Sequence, residues 1–291
     1  KVTGKFSNQA ANVSDPNSPE IFDANLEKST LQTPDEAKNL FSQLASSDFI
    51  VQNIEQTEGT KANPVPFTTA ALQIESNSRL GYSAKTTMSA AQGLYQAGLI
   101  TYHRTDSLNL SKDAISAISS YIKQTFGENY LQTRHFHTKD ASAQEAHEAI
   151  RPTNIAQEVA GKNDYEKKLY QLIRTRTLAT QMKNAVVAKT NIDIIPSTNP
   201  DLTFNAKGEV VIFDGFLKVY GKNKDTLLPQ LNIGDHLNTH DLIAKQTYSK
   251  PPARYTEGSL VKKLEELGIG RPSTYASIIN AIQVRNYVVK G

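Results

Sequence analysis

The hydrophobic pattern changes period twice along this chain, and that change limits the folds open to it. Residues 49–54 read as a strand, and in residues 190–194 isoleucines alternate with polar residues, as in a half-buried strand. Between them, over residues 67–182, apolar residues recur at helical spacing. The pattern predicts a multi-domain fold of helices and strands, in which a helical domain is inserted into a β-rich domain.

The predicted domain boundaries follow the same changes of pattern. A first β-rich part covers residues 1–61, and the helical insertion covers residues 62–184. The second β-rich part covers residues 185–249, and a further helical piece covers residues 250–291. The segment 56–66 contains a glycine and two prolines, and it is predicted to be a linker between the first two parts.

Local signals place individual elements within this plan. Helices are expected where a Ser or Thr cap precedes an apolar stripe, and a Lys207-Gly208 turn indicates a β-hairpin. The predicted helices cover residues 34–44, 85–97, 112–126, 143–150 and 164–182.

The C-terminal residues have a helix-turn-helix pattern. Thr256 is positioned to cap the first helix, and Gly268 and Gly270 form the turn. Ser273 and Thr274 open the second helix, and residues 287–289 read as the start of a wing strand. Such an arrangement is typical of DNA-binding domains, although it also occurs as plain structure.

Composition excludes several function classes. The 291 residues include no cysteine, so disulfides, cysteine-based zinc sites and thiol catalysis are ruled out within them. The net charge of +3 is low for a dedicated nucleic-acid binder, and no apolar run reaches the roughly 18 residues of a membrane-spanning helix. The first residues lack an initiator Met and resemble the middle of a strand, so we expect a piece of a longer protein.

Tyr102 is the strongest candidate for a catalytic residue. It lies in the segment L-I-T-Y-H-R-T-D-S between two predicted helices, and in an extended chain Tyr102 and Arg104 share a face. A free phenol has a pKa of about 10, so a nucleophilic tyrosine needs a nearby cation to support it. Arg104 and His147 are the candidates, and the plain alternative is a surface tyrosine beside an Arg104–Asp106 ion pair.

Two further clusters carry groups that could bind phosphate. In E-A-H-E-A-I-R-P-T, a helix would place His147 and Arg151 on one face, and no second histidine lies at metal-ligand spacing. In G-I-G-R-P-S-T-Y, Arg271, Ser273 and Thr274 meet a helix N-terminus, which favours anions. Either cluster could instead be ordinary helix-end and turn chemistry.

Taken in order, these strings resemble the bacterial type IA DNA topoisomerases. L-I-T-Y-x-R-T-D-S, E-A-H-E-A-I-R-P-T, P-P-A-R-Y-T-E-G-S-L-V and G-I-G-R-P-S-T-Y all match the family, from about Pro64 onward. His103 departs from it, because the family often has Met there. In the family, an acidic metal-binding module called Toprim precedes this region, and these 291 residues contain no counterpart of that module.

The resemblance implies both a fold and a set of roles. In the family, four domains enclose a hole. Here a β-rich arch would consist of residues 1–61 and 185–249, and a winged-helix-like domain would consist of residues 62–184. Part of the helix-turn-helix domain that forms the groove for single-stranded DNA would consist of residues 250–291. Tyr102 would form a 5′-phosphotyrosyl bond with one DNA strand, Arg104 would position the phosphate, and His147 would support cleavage. Residues that would contact DNA are Arg151, Arg271, Ser273 and Thr274.

The resemblance also implies cofactors, partners and location. The substrates would be single-stranded DNA and negatively supercoiled duplex DNA, acted on by a monomer in the bacterial cytoplasm, at the nucleoid. Mg²⁺ would be used, with its ligands outside this chain, and neither zinc nor ATP nor a membrane would be needed. The chain alone would then be inactive in relaxation.

Two other function classes stay open on the residues alone. One is a single-stranded DNA-binding module without chemistry, which the helix-turn-helix pattern supports. The other is a tyrosine recombinase or type IB enzyme, which needs an Arg-His-Arg set before its tyrosine, whereas His147 and Arg151 follow Tyr102.

Overall fold

The fold is described from a computed structural model, over residues 1–9, 21–27, 31, 33–137, 147–221 and 225–289. It divides into two compact units. Unit 1 consists of Lys1–Lys61, Ala185–Asp214 and Asn223–Pro251, and unit 2 consists of Ala62–Asn184, Gly215–Lys222 and Pro252–Gly291. The division differs from the predicted plan at two places, because residues 215–222 and the C-terminal piece cluster with the helical unit.

Unit 1 is a closed antiparallel barrel of six strands in the order β1-β2-β5-β4-β3-β6. The strands are β1 Val2–Asn8, β2 Phe22–Leu26, β3 Phe49–Lys61, β4 Ala185–Pro196, β5 Phe204–Phe213 and β6 His236–Ala244. Helix α1, Pro34–Leu44, begins after Thr33, whose hydroxyl accepts a hydrogen bond from the Glu36 amide (3.2 Å). The predicted helix at this position is thereby confirmed.

Aromatic side chains fill the barrel. Phe6, Phe49 and Phe204 are fully buried, and the Phe6 and Phe49 ring centroids lie 4.9 Å apart. Gly4 leaves room for this packing, because a Cβ there would come within 2.5 Å of the Phe6 ring. The alternation of buried and partly exposed residues along β1 therefore reflects which side chains face this aromatic core.

One sequence prediction about this unit is right only in part, and another is wrong. The predicted linker at 56–66 does contain the boundary between the units, after Lys61, but its first half is strand, because β3 pairs with β4 as far as Lys61, opposite Ala185. The predicted turn at Lys207-Gly208 lies inside β5, where Gly208 pairs with Thr190. A Cβ on Gly208 would come within 3.1 Å of the Leu228 side chain, so this glycine marks a close approach within a strand.

Unit 2 is mainly helical. Its helices are α2 Thr69–Leu80, α3 Ala84–Gln96, α4 Lys112–Phe126, α5 Asp164–Gln181, α6 Leu217–Tyr220, α7 Glu257–Glu266 and α8 Tyr275–Val284. Side chains cap most of the longer ones: Ser111 accepts from the Ala114 amide, as predicted, and Thr256 forms a reciprocal capping box with Ser259. A buried core that includes Leu72, Leu94 and Ile173 joins α2, α3 and α5.

The C-terminal helices pack directly on α2 and α3. Val261 and Tyr275 share a buried cluster with Ala70 and Ala84, and the Glu257 carboxylate accepts a hydrogen bond from the Ala84 amide (2.8 Å). The predicted wing strand is wrong over the described residues up to Val289, since residues 287–289 form no strand. The Tyr287 amide instead donates to the Ile282 carbonyl (2.9 Å) and closes α8.

The predicted helix at 143–150 is also not observed where it can be checked. Residues 143–146 lie outside the described residues, and residues 147–150 form no helix. Ile150 forms a bridge with Phe67, and Pro152 forms one with Ile100. His147 and Arg151 therefore do not share a helix face.

Arg134 joins the segments where the chain enters and leaves unit 2. Its guanidinium donates to the Asn63 side chain (3.2 Å), the Asn184 side chain (2.8 Å) and the carbonyl oxygens of Thr180 (3.2 Å) and Met182 (2.5 Å). Burial lowers the pKa of this guanidinium. One planar, five-donor side chain thus satisfies acceptors from both of these segments.

Replacing Arg134 by Met is expected to lower the free energy of unfolding of unit 2 by about 2–4 kcal/mol, because several partly buried acceptors lose their donor. Arg134→Lys should lose less, since it keeps a cation but not the planar fork. Urea titration followed by circular dichroism measures both. A Met variant as stable as the wild type would show that water replaces the guanidinium at no cost.

Candidate active site

Tyr102 lies on the connection between α3 and α4. This connection forms neither helix nor strand apart from the bridge at Ile100, yet buried and accessible side chains alternate along it. His103 and Thr105 are buried, whereas Tyr102 and Arg104 are exposed. The segment bends at Thr101, His103 and Arg104, so the predicted extended conformation is not observed as a regular strand. Tyr102 and Arg104 nevertheless line the same cavity, as the predicted shared face requires.

Threonine side chains fix the backbone on both sides of Tyr102. The Thr101 hydroxyl donates to the Ala149 carbonyl (2.7 Å) and accepts from the Arg151 amide (3.0 Å). The buried Thr69 hydroxyl, in the first turn of α2, donates to the His103 carbonyl (2.8 Å) and accepts from the Thr105 amide (2.8 Å). A loop held this way can present a side chain in a defined direction.

The phenol of Tyr102 faces a cavity of about 380 Å³. The side chains that line it include guanidinium, hydroxyl and ring groups. Such groups suit the binding of an anionic substrate. The lining residues are Tyr102, Arg104, Asp106, His147, Arg271, Pro272 and Ser273.

Five of the residues predicted from sequence thus meet in one cavity. Arg104 lies two residues after Tyr102, and the His147 ring packs edge-on against the Tyr102 ring at 5.6 Å. Arg271 and Ser273 arrive from the turn before α8, about 170 residues along the chain. Their roles remain predictions, but their convergence is a feature of the structure.

The Arg104 guanidinium forms no hydrogen bond or ion pair with any of the described residues, Asp106 included. The alternative of an Arg104–Asp106 surface ion pair is therefore not what the structure shows. An exposed guanidinium beside a phenol is available to hold a phosphate through two parallel hydrogen bonds.

Arg271 is partly occupied by its own turn. Its guanidinium donates to the Gly270 carbonyl (2.7 Å) and more weakly to the Gly268 carbonyl (3.3 Å). Both glycines have positive φ, 83° and 68°, a backbone conformation that favours glycine. The turn thus aims the Arg271 side chain, and its unused donors stay available at the cavity.

Two of the predicted DNA-contacting residues do not line the cavity. Arg151 pairs with Glu148 (2.6 Å) and donates to the Pro152 carbonyl. Burial would raise the pKa of Glu148, but hydrogen bonds from Arg151 and Ser111 outweigh it and lower that pKa. The Thr274 hydroxyl bonds to the amide and carbonyl of Arg271, so it organises the turn.

Sequence reasoning missed Asp106, Pro272 and Tyr95. Asp106 continues the alternation of Tyr102 and Arg104, and that spacing could have identified it as a third residue on the same face. Pro272 lines the same cavity next to Arg271. Tyr95 gave no local signal, because its ring reaches Tyr102 only through the packing of α3, with the centroids 5.2 Å apart.

His103 is an unusual neighbour for a candidate nucleophile. Its side chain is 1% exposed, and neither ring nitrogen has a hydrogen-bond partner among the described residues. Burial, and secondarily the Arg104 charge, lowers the pKa of His103 to about 4. The imidazole therefore stays neutral at physiological pH.

Acidification is expected to destabilise the protein through His103. The folded pKa of about 4 lies below the ordinary value of 6.5, so the native state binds fewer protons between these values and loses stability as pH falls from 6.5 towards 4. His103→Met removes this term. Between pH 7.5 and 5.0 the variant should lose roughly 2 kcal/mol less unfolding free energy than the wild type.

Urea unfolding at the two pH values measures that difference. The chain contains six histidines, and the other five are common to both proteins, so their titration cancels in the comparison. If the unfolding free energies of the wild type and of His103→Met changed equally with pH, His103 would have a hydrogen-bond partner or solvent access that the structure does not show.

Two broader features of the described residues bear on the site. No cluster of three or more His, Asp or Glu side chains there could hold a metal ion. In the part of the chain that the structure covers, no helix is both long and apolar enough to cross a membrane.

Comparison with known proteins identifies the family. A family model described as DNA topoisomerase matches residues 1–291. The chain belongs to the DNA topoisomerase family. It is 44% identical to DNA topoisomerase 1 of Rickettsia bellii, over 92% of this chain and 36% of that protein. It is 42% identical to DNA topoisomerase 1 of Campylobacter jejuni, over 92% of this chain and 40% of that protein.

A solved structure shows the same fold. Full-length topoisomerase I from Thermotoga maritima matches with a TM-score of 0.81 and 31% identity, over 100% of this chain and 48% of that one. The predicted mixture of helices and strands and the predicted family are confirmed. This chain spans less than half the length of these relatives.

Proposed function

We propose that this chain carries the DNA-cleaving tyrosine of a type IA topoisomerase and acts on single-stranded DNA. The observation that carries the proposal is the cavity in which Tyr102 lies with Arg104, His147 and Arg271. The whole enzyme would cut one strand of negatively supercoiled DNA, pass another strand and reseal the cut. In that enzyme, unit 1 would belong to the β-rich arch.

The proposed chemistry is a reversible transfer of a phosphodiester. The Tyr102 oxygen attacks phosphorus, the bond to the 3′-oxygen breaks, and a 5′-phosphotyrosyl bond replaces it. The phenol gives up one proton and the leaving 3′-oxygen takes one up, so the step is neutral overall. The reverse attack by the 3′-hydroxyl restores the strand, and the retained ester bond explains why no ATP is needed.

Each lining residue has a role that its chemistry supports. Arg104 holds the non-bridging phosphate oxygens and offsets the charge that develops on them. His147 packs against the phenol ring and offers a ring nitrogen to the phosphate. Arg271 and Ser273 bind the backbone of the strand next to the cut, without reading its bases.

Mg²⁺, which the family resemblance implies, does not fit the donor groups of this cavity. Mg²⁺ prefers several oxygen ligands, and here a single carboxylate, Asp106, stands with two guanidinium groups. We propose that this chain by itself binds single-stranded DNA but does not relax supercoils.

A trapped adduct tests the proposed function. The natural full-length protein that contains these residues is mixed with a single-stranded oligonucleotide labelled at one end, and the reaction is stopped with SDS. We expect a 3′-end label to remain covalently on the protein and a 5′-end label to leave on a shorter strand with a free 3′-hydroxyl. Mass spectrometry should find the nucleotide on the peptide that carries Tyr102.

Two outcomes would contradict the proposal. An adduct on a residue other than Tyr102 would refute the assigned nucleophile. Tight binding without any adduct would instead favour the alternative, a single-stranded DNA-binding module without chemistry.

Binding to DNA is expected to weaken with salt, because cations of the cavity displace counterions from phosphates. For single strands the slope of log K against log salt changes by about 0.7 for each phosphate neutralised. Arg271→Ala should therefore reduce the slope by about 0.7. Fluorescence anisotropy with labelled oligonucleotides at several salt concentrations measures the slope. An unchanged slope would show that Arg271 does not contact DNA phosphates.

A further inference from the structure

We propose that Tyr95 and His103 are positioning residues that set the direction of the Tyr102 ring. The inference rests on the proposed function, because it concerns how the nucleophile is aimed. Tyr95 gave no local signal in the sequence, and His103 stood out there only as a departure from the family pattern. Both are identified by ring contacts that only the folded chain creates.

The backbone around Tyr102 is held more firmly than its side chain. The hydrogen bonds of Thr101 and Thr105 fix the chain on either side. The Tyr102 hydroxyl forms no hydrogen bond with the described residues, and the side chain is 38% exposed. Ring packing is therefore what orients the phenol.

Three rings contact one another in a closed triangle. The Tyr95 and Tyr102 centroids lie 5.2 Å apart, Tyr102 and His103 lie 5.4 Å apart, and Tyr95 and His103 lie 5.6 Å apart. Within the triangle, both contacts made by Tyr102 are edge-on, at 66° and 69°, which is a favoured arrangement of aromatic rings. Because each ring touches the other two, rotation of the phenol breaks contacts on two sides.

Tyr95 connects this triangle to the rigid part of unit 2. It lies in the last turn of α3, directly after Leu94, which is fully buried in the core. The Gly98 amide donates to the Tyr95 carbonyl (2.9 Å) and ends the helix there. The Tyr102 ring therefore packs against a side chain that is held by a helix and not by a free loop.

His103 forms the buried side of the triangle. Its two ring nitrogens have no hydrogen-bond partner among the described residues, so it is a costly residue to bury, and an apolar side chain of similar size would avoid that cost. Its flat ring lies at 69° to the Tyr102 ring and at 46° to the Tyr95 ring, so one side chain contacts both tyrosines.

Truncation of Tyr95 provides the sharper test, because the side chain is 40% exposed and its loss leaves no closed cavity in the core. In the full-length protein, Tyr95→Ala should lower the single-turnover cleavage rate about 10-fold and leave the dissociation constant for single-stranded DNA unchanged. The change corresponds to about 1.4 kcal/mol of activation free energy. Tyr95→Phe keeps the ring and should restore the wild-type rate.

A matched control comes from another exposed aromatic pair. Tyr165 is 57% exposed, and its ring lies 5.3 Å from the Tyr82 ring, outside the cavity lining. Tyr165→Ala should cleave at the wild-type rate. If Tyr95→Ala proves unstable, Tyr95→Leu keeps apolar volume without a ring, and it should show the same 10-fold loss.

The outcomes separate this inference from the proposed function. Wild-type cleavage by Tyr95→Ala, with the adduct still on Tyr102, would overturn the positioning role alone. An equal loss of rate and DNA affinity would also overturn it, since Tyr95 would then be a DNA contact. Failure of the wild-type protein to form an adduct on Tyr102 would refute the proposed function itself.

Discussion

Replacing Tyr102 by Phe is expected to abolish covalent capture of DNA while binding is retained. Phenylalanine keeps the ring that packs against Tyr95, His103 and His147, but it has no oxygen to attack phosphorus. Loss of a nucleophile that works with a set of supporting groups lowers the rate by at least about 10⁴-fold. Denaturing gels measure the adduct, and anisotropy should give a dissociation constant for single-stranded DNA within about 2-fold of the wild type.

The matched control removes a hydroxyl from an exposed tyrosine elsewhere in unit 2. Tyr165→Phe makes the same chemical change outside the cavity and should leave both adduct and binding unchanged. Adduct formation by Tyr102→Phe at more than a trace level would show that another residue attacks the strand. A loss of binding that parallels the loss of adduct would make Tyr102 a contact residue instead.

Arg104→Ala is expected to lower the cleavage rate by about 10²–10³-fold, the usual cost of removing one donor that stabilises developing negative charge. Arg104 forms no ion pair within the described ranges, so folding should change by less than about 0.5 kcal/mol. Arg104→Lys should recover only part of the rate, because an ammonium group cannot make two parallel hydrogen bonds to a phosphate. Single-turnover cleavage at saturating oligonucleotide measures the three proteins.

Arg285 provides the control for charge alone. It is exposed in unit 2 and does not line the cavity, so Arg285→Ala should cleave at the wild-type rate once DNA is saturating. Equal rate losses in Arg104→Ala and Arg285→Ala would mean that general charge, and not the placement of Arg104, accounts for the effect. If Arg104→Ala cleaved DNA at the wild-type rate, Arg104 would not stabilise the phosphate, and Arg271 would be the cation that does.

Helix positions were largely predictable because their signals are local. The caps at Thr33, Ser111 and Thr256 each bond to the amide three residues along the chain, so the residues that decide each helix start stand next to it in sequence. The shared face of Tyr102 and Arg104 was predictable for the same reason, because alternation is a property of neighbouring positions.

The errors share a different cause. Lys207-Gly208 has the composition of a turn, yet it lies inside β5, because Asn191 and Thr190 of β4 pair with it. The segment 56–61 has the composition of a linker, yet β4 supplies partners for its backbone. The described residues after His147 are not helical, because Ile150 and Pro152 form bridges with Phe67 and Ile100, which outweighs their helical spacing.

The sequence by itself therefore determined the family, the helices and the candidate residues Tyr102, Arg104, His147 and Arg271, because short motifs and short-range periodicity carry that information. Only the tertiary structure decided that these four residues line one cavity, that Arg151 pairs with Glu148 instead, and that His103 is buried with no hydrogen-bond partner among the described residues. The cavity brings together residues as far apart in sequence as Tyr102 and Arg271, and such contacts depend on how the helices pack. That packing is set by the whole core of the unit, and no local pattern contains it.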